Sequence, residues 1–286
     1  MINRQQLISA YEEACEVELL AFKPGNVSVH SDGHDMTVED FRISYRVSSE
    51  PITDPNYSLG EKIYYAVKAT REAVGCNTNL GIILLCAPLL QVAADLEQGQ
   101  SLREAVCRLL ANTTRRDADW VFQAIVLASP GGLGDSGEQD VRQEATVTLT
   151  EAMKIAGNKD RIAYQFASNY KDIFGFTIFM YNATFAKFGD RNWAALSVYA
   201  GMLERYADSH IERKYGQQYT DWVAGEMKRV HESLLTVSNP ESLLPMLHGI
   251  DEAFKAKGIN PGTTADITVA TVLAVFLQQL IGDVSS

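Results

Sequence analysis

Apolar residues recur at helical spacing along nearly the whole chain, and no run of strict alternation lasts long enough to predict a strand. Residues 4–21 place Leu7, Tyr11, Ala14 and Ala21 on one stripe. Glu18 falls on the same stripe, whereas Glu16 points elsewhere. A carboxylate on a buried face must be paired, hydrogen-bonded or coordinating something, so a salt bridge and a functional role are both open for Glu18. Thr37-x-x-Asp40 has the form of a capping box and predicts the next helix start, with Asp40 structural. Further helices are expected over 59–74, 80–97, 101–110, 117–127, 147–156, 161–170, 174–188, 192–206, 219–235, 240–257 and 267–281. Ser101 and Glu104 are expected to form a second box, and Gly258 to stop the helix before it.

Two of these helices stand apart. Residues 82–94 carry almost no charge, and residues 267–281 are apolar nearly all round, which marks both as buried. A turn of small and polar residues opens each one. In the first, Asn77 or Thr78 is the expected N-cap, and Gly75 and Gly81 permit close approach of a backbone or ligand. Such a helix start suits a phosphate, though a capped core helix with nothing bound has the same pattern. In the second, residues 258–266, Thr263-x-x-Asp266 reads either as a capping box or as Asp266 facing a cavity with a cation. The expected fold is all-α, a single compact multi-helix domain over residues 1–286 with buried apolar central helices.

Polar loops carry the remaining candidate chemistry. Between the first two helices come Lys23, Asn26, His30, His34 and Asp35, among the turn signals Pro24-Gly25 and Asp32-Gly33. This is either a site loop or a solvated connection. The glycine-rich stretch 129–135 follows no strand, so it is neither a dinucleotide fingerprint nor a P-loop, and reads as a connection or lid. Residues 208–216 pack both charge signs together, which on sequence alone predicts a solvated face.

Composition narrows the classes of function. With 286 residues, 46% hydrophobic and 21% charged, the chain is that of an ordinary globular protein. A formal net charge of -11 argues against a nucleic-acid partner, which needs clustered Lys and Arg. The four cysteines, Cys15, Cys76, Cys86 and Cys107, form no CxxC pair and read as buried thiols of a reducing compartment. The N-terminal residues lack a signal-peptide core. The apolar runs 80–94 and 267–281 are shorter than a bilayer span, and the first contains Pro88. A cytoplasmic protein without membrane partners is expected.

Taken in order, Glu18 with Lys23-Pro24-Gly25, Asp35-Met36, Gly75-x-Asn77-Thr78, Asp208-Ser209 and Pro261-Gly262-x-x-Ala265-Asp266 resemble the triphosphoribosyl-dephospho-coenzyme-A synthase family. The resemblance spans residues 18 to 266. Departures from the family pattern are specific: its Asn-Thr-His-Lys-Gly reads Asn77-Thr78-Asn79-Leu80-Gly81, lacking a His and a Lys. Its Gly-Ser before the last Ala-Asp reads Thr263-Thr264, and its Asp-Thr-Asn reads Asp208-Ser209-His210. The resemblance implies an all-helical Mg²⁺-dependent transferase with ATP as donor. Adenine would leave, and the triphosphoribosyl group would pass to the ribose 2′-hydroxyl of dephospho-CoA.

Cleaving an N-glycosidic bond builds positive charge on the ribose and negative charge on the base, and transfer needs a base for the acceptor hydroxyl. Within the resemblance, Glu18 and Asp35 are the expected catalytic carboxylates. Asp208 and Asp266 are expected to hold Mg²⁺. Lys23, Asn26, Asn77, Thr78, Asn79, Ser209, Arg213, Lys214, Thr263 and Thr264 are expected to bind nucleotide and phosphate. Two other readings are a pterin-type acceptor for the same chemistry and a non-catalytic nucleotide or CoA sensor. A helix-packed homodimer fits the many amphipathic helices.

Overall fold

A computed structural model of the chain describes residues 2–30, 36–129 and 140–282. Asp35 and His34, the Asp32-Gly33 turn and residues 130–135 of the glycine-rich stretch lie outside the described residues. The described residues form helices and contain no strand. In chain order the helices are α1 (Arg4–Leu20), α2 (Val38–Ile52), α3 (Leu59–Val74), α4 (Leu80–Asp95), α5 (Leu102–Ala111), α6 (Arg115–Ala128), α7 (Leu149–Ala156) and α8 (Arg161–Ala167). A π-helical turn, Ile173–Thr177, leads into α9 (Ile178–Phe188). Then follow α10 (Arg191–Arg205), α11 (Ser209–Tyr215), α12 (Thr220–Thr236), a 3₁₀ turn Pro240–Leu243, α13 (Leu244–Ala256) and α14 (Gly262–Ile281).

Local chemistry sets the helix starts. Thr37, Ser58, Thr114 and Thr148 each close a capping box with the acid three residues on, a reciprocal bond that satisfies two orphan donors at once. The box expected at Ser101 is only half formed. Ser101 accepts from the Glu104 backbone, but the Glu104 side chain lies 3.8 Å from Arg108 instead. The Thr263 box does not form, because α14 begins at Gly262, two residues before a Thr263 cap would start it, and Thr263 already sits inside the first turn. At α4 the cap position falls to Asn79, one or two residues later than expected. Its side chain bonds no helix N–H, and Asn77 Oδ1 accepts from Leu80 N at 3.2 Å.

The architecture wraps α14 and α4 with the other helices. α14 packs on α1, α4, α9 and α10, and α4 packs also on α3 and α5. Both central helices are buried along most of their length. α14 reaches 20 residues, so by length and composition it passes as a membrane span, contrary to the expectation from its apolar run. Of its most apolar 18-residue stretch, however, 83% is buried inside the molecule, as in a core helix. Pro88 is accommodated inside α4. A proline there gives no N–H to the turn before it, and in that turn Tyr170 Oη donates to the Leu85 carbonyl at 2.9 Å.

A second apolar cluster joins α10 to α12 and α13 through Tyr199, Leu203, Met227, Leu247 and Phe254. α10 serves both: Ala195, Val198 and Met202 face the main core, while Leu196, Tyr199 and Leu203 face the second. The region where these two clusters meet is also where the polar turns before α4, α11 and α14 come together.

Candidate functional site

The segment after α1 is no solvated connection: residues 21–28 are all buried. Glu18, 4% exposed, faces Lys23, 0% exposed, with Nζ 3.0 Å from Glu18 Oε1. Lys23 Nζ also donates to the Glu18 carbonyl and the Val27 carbonyl, each at 2.8 Å. All three ammonium hydrogens are therefore engaged, which is what a fully buried lysine requires. Burial pushes the Glu18 carboxyl up, and the Lys23 charge opposes that push. Burial likewise lowers Lys23, with Glu18 opposing. Both readings of Glu18 thus meet in one arrangement, an ion pair that holds a carboxylate inside the protein. Lys23, expected on phosphate, has its hydrogens on Glu18 and the backbone.

The Pro24-Gly25-Asn26 turn is clamped from three sides. Tyr199 Oη donates to the Pro24 carbonyl (2.8 Å), Gly25 N donates to Asp251 Oδ1 (2.8 Å), and Asn26 Nδ2 donates to Asn260 Oδ1 (2.7 Å). Gly25 has φ +82°, and a Cβ there would lie 2.9 Å from the Ile259 carbonyl and the Phe254 ring. These contacts fix the loop after α1 against the turn that opens α14.

Four helix starts meet beside this loop. Arg161 N, at the start of α8, donates to Ser209 Oγ at the start of α11 (2.8 Å). Asp208 caps α11, its Oδ1 accepting from His210 N and Ile211 N at 2.9 and 3.2 Å. Its Oδ2 accepts from Thr264 N and Thr264 Oγ1, at 2.8 and 2.7 Å, in the first turn of α14. Asp160 caps α8 through Oδ1 and pairs through Oδ2 with Arg213 (2.6 Å). The start of α4 closes the ring: a Cβ on Gly81 would fall 2.0 Å from Asp266 Oδ2 and 2.6 Å from Ile162 Cδ1. Only glycine lets the Asp266 carboxylate lie against that backbone.

Asp266 differs from its neighbours in having no hydrogen bond or ion pair among the described residues. Burial raises its pKa well above the ordinary carboxylate range, and the charges of Glu18, Asp208 and Asp160 raise it further against the pull of Arg213. Part of its surface stays open, so the carboxylate is desolvated yet reachable. Asp208 is also raised by burial, opposed by its bonds from Thr264. His210, half-buried beside it, is lowered, by burial first and then by Arg213 and Lys214, with Asp208 acting the other way.

The expected residues divide by location. Glu18, Lys23, Asp208, Ser209, Arg213, Thr264 and Asp266 come together, with Thr263 buried in the same first turn of α14 and Asn26 at its approach. Thr78 and Asn79 turn to α2, bonding Ser44 (2.5 Å) and Ser48 (3.3 Å), while Asn77 stays half-buried at the start of α4. Lys214 lies exposed, 3.4 Å from the Gly258 carbonyl. Residues 208–216 are thus split, Asp208, Ser209 and Ile211 buried and Arg213 and Lys214 outside, where a wholly solvated face was expected. Cys15 and Cys86 are buried free thiols, but Cys76 and Cys107 are only half-buried.

Two groups escape the sequence reading. Asp251 sits among Leu247, Ile250 and Phe254 on one stripe of α13, the same signal that singled out Glu18. Arg161 binds Asp172 through Nε and a terminal nitrogen, each at 2.8 Å, with its guanidinium between the Tyr164 and Tyr206 rings. No spacing rule pairs those residues.

A Mg²⁺ ion fits this donor set in one particular way. Among the described residues no three His, Cys, Asp or Glu side chains form a ready cage. Mg²⁺ is commonly held by one or two carboxylates together with substrate phosphates, and the unpartnered Asp266 suits that arrangement.

The family model described as CitG, ATP:dephospho-CoA triphosphoribosyl transferase, matches residues 4–285. A crystal structure described as a candidate triphosphoribosyl-dephospho-CoA synthase from Archaeoglobus fulgidus aligns with a TM-score of 0.59 and 24% identity. The alignment covers 82% of this chain and 94% of that one, and at this identity the likeness is one of fold. No curated protein matches the chain.

Proposed function

The chain belongs to the ATP:dephospho-CoA triphosphoribosyl transferase family, and on that premise we propose that it transfers the triphosphoribosyl group of ATP to the ribose 2′-hydroxyl of dephospho-CoA, releasing adenine. The bond from the ribose anomeric carbon to adenine breaks, and a bond from that carbon to the acceptor oxygen forms. The acceptor's proton goes to a protein carboxylate, and adenine leaves carrying the bonding pair and takes up a proton.

The observation that carries this reading is the carboxylate Asp266, unpartnered and partly open where α4 and α14 begin, with Glu18, Asp208 and Asp160 around it. Negative charge gathered there favours an oxocarbenium-like ribose. Glu18, with Asp35 as the second candidate on the ribose side, takes the acceptor's proton; its raised pKa makes it a stronger base than a solvated carboxylate. Lys23 acts through Glu18, fixing its position and charge. Asp266 would hold Mg²⁺ together with the triphosphate oxygens, whose charge the ion would offset, while Asp208, expected beside it, has both oxygens engaged at the starts of α11 and α14. Arg213 and Lys214 supply cations at the rim. Asn77, Ser209, Thr263 and Thr264, with Asn26 behind them, supply polar groups at the helix starts where phosphate oxygens bind well, whereas Thr78 and Asn79 are held by Ser44 and Ser48 on α2.

Glu18→Gln tests the assignment. It should abolish adenine release while ATP still binds in a calorimetric titration; unchanged turnover would remove Glu18 from the chemistry.

A further inference from the structure

A cavity of about 580 Å³ lies between α5, the π-helical turn and the C-terminal half of α14. Its volume is within the usual range for small-molecule sites. It is separate from the carboxylate site: Gln278, on its wall, follows Asp266 by twelve residues, about 18 Å along the α14 axis. Phe174 and Ile178 form an apolar wall, with Gln278 and Cys107 beside them and Arg103 and Arg108 at the rim.

Two features mark it as built to hold something. Gln278 is 7% exposed, yet its side-chain amide has no hydrogen-bond partner among the described residues, although it lines the cavity. The amide is open to the cavity, where a ligand can take the place of water on it. Arg103 has no ion-pair partner among the described residues, while its neighbour Arg108 lies 3.8 Å from Glu104. In addition, Phe174 belongs to the π-helical turn, a local irregularity common at binding sites.

We propose that this cavity is a second ligand site, for a planar heterocycle carrying an anionic group, of mononucleotide size. The Gln278 amide presents a donor beside an acceptor, which matches the edge of a base. Phe174 offers a ring face for stacking, and Arg103 can grip a phosphate through two parallel hydrogen bonds. The site also has a physical route to the carboxylates. Asp172, just before the π turn, holds Arg161, whose backbone N–H binds Ser209 next to Asp208. Thr177, at the end of that turn, bonds Thr271 on α14 at 2.8 Å.

Cys107 provides a local readout, because it lines the cavity and is half-buried. The intact protein is alkylated with iodoacetamide in the presence of adenosine 5′-monophosphate, and each cysteine is followed by peptide mass spectrometry. Alkylation of Cys107 should fall with occupancy, about twofold at half-saturation. Arg103→Glu and Gln278→Leu should each remove the protection without changing basal adenine release. Absence of Cys107 protection at up to about 10 mM nucleotide would overturn the proposal. So would protection by inorganic phosphate equal to that by the nucleotide, or protection that survives both substitutions.

Discussion

Gly81→Ala is the sharpest perturbation of the carboxylate site. The added methyl would lie 2.0 Å from Asp266 Oδ2, where a real Cβ keeps at least 3.0 Å. Asp266 must then retreat by about 1 Å, because the methyl is fixed to the α4 backbone. A displacement of that size at a reacting centre costs about a hundredfold in rate. The stability terms are smaller and opposed. Replacing glycine inside a helix gains about 0.5–1 kcal/mol, and forcing a methyl into a filled site loses about 1–3 kcal/mol. The variant should remain folded, with a net loss of roughly 0–2.5 kcal/mol by these terms. The assay pairs steady-state adenine release with thermal unfolding on one preparation. A folded Gly81→Ala protein with wild-type turnover would show that the close seat of Asp266 on α4 is not needed, and the geometric argument would fall.

Asp266→Asn should be inactive yet more stable at neutral pH, by about 0.5–2 kcal/mol, as when a functional strain is relieved. Because the folded pKa of Asp266 is raised, its stabilising protonated form is complete below the ordinary carboxylate range and is lost as pH rises through the raised value. The variant's advantage should therefore grow with pH across that window and vanish in acid; a melting-temperature series against pH measures it, and an advantage largest in acid would contradict the sign. Lys23→Met should lose about 3–5 kcal/mol in urea unfolding, since it strands the Glu18 charge. The Glu18→Gln/Lys23→Met pair should cost less than the sum of the single changes, and simple additivity would refute the pairing. Gly25→Ala combines positive φ with a Cβ 2.9 Å from the Ile259 carbonyl, so a loss of more than about 1 kcal/mol is expected in the same measurement; an unchanged midpoint would show that the loop tolerates it.

Helical periodicity made the all-α fold legible, because each amphipathic stripe records a buried face. The two central helices stood out for the same reason, lacking a polar face altogether. Glu18 was legible as a polar group on an apolar stripe, and Asp251 carries the same signal on α13. The Asp208 cap announces α11, but seven residues rich in charge show no stripe to confirm a helix. Where α14 starts could not be read from Thr263 and Asp266, since a two-residue shift turns a capping threonine into an internal one. Asp208 bonding Thr264 across 56 residues is a product of packing. So are the Gly81–Asp266 contact and the Arg161–Asp172 pair, which no local pattern encodes.

The most direct test is to incubate the purified protein with ATP, Mg²⁺ and dephospho-CoA, and to follow free adenine and the mass of the acceptor together. The proposed function predicts adenine in equal amount to a triphosphoribosyl adduct of dephospho-CoA. Adenine without that adduct would contradict the acceptor and send the search to pterin-type molecules or water. No adenine, with ATP bound, would contradict transfer altogether and leave a nucleotide-binding protein.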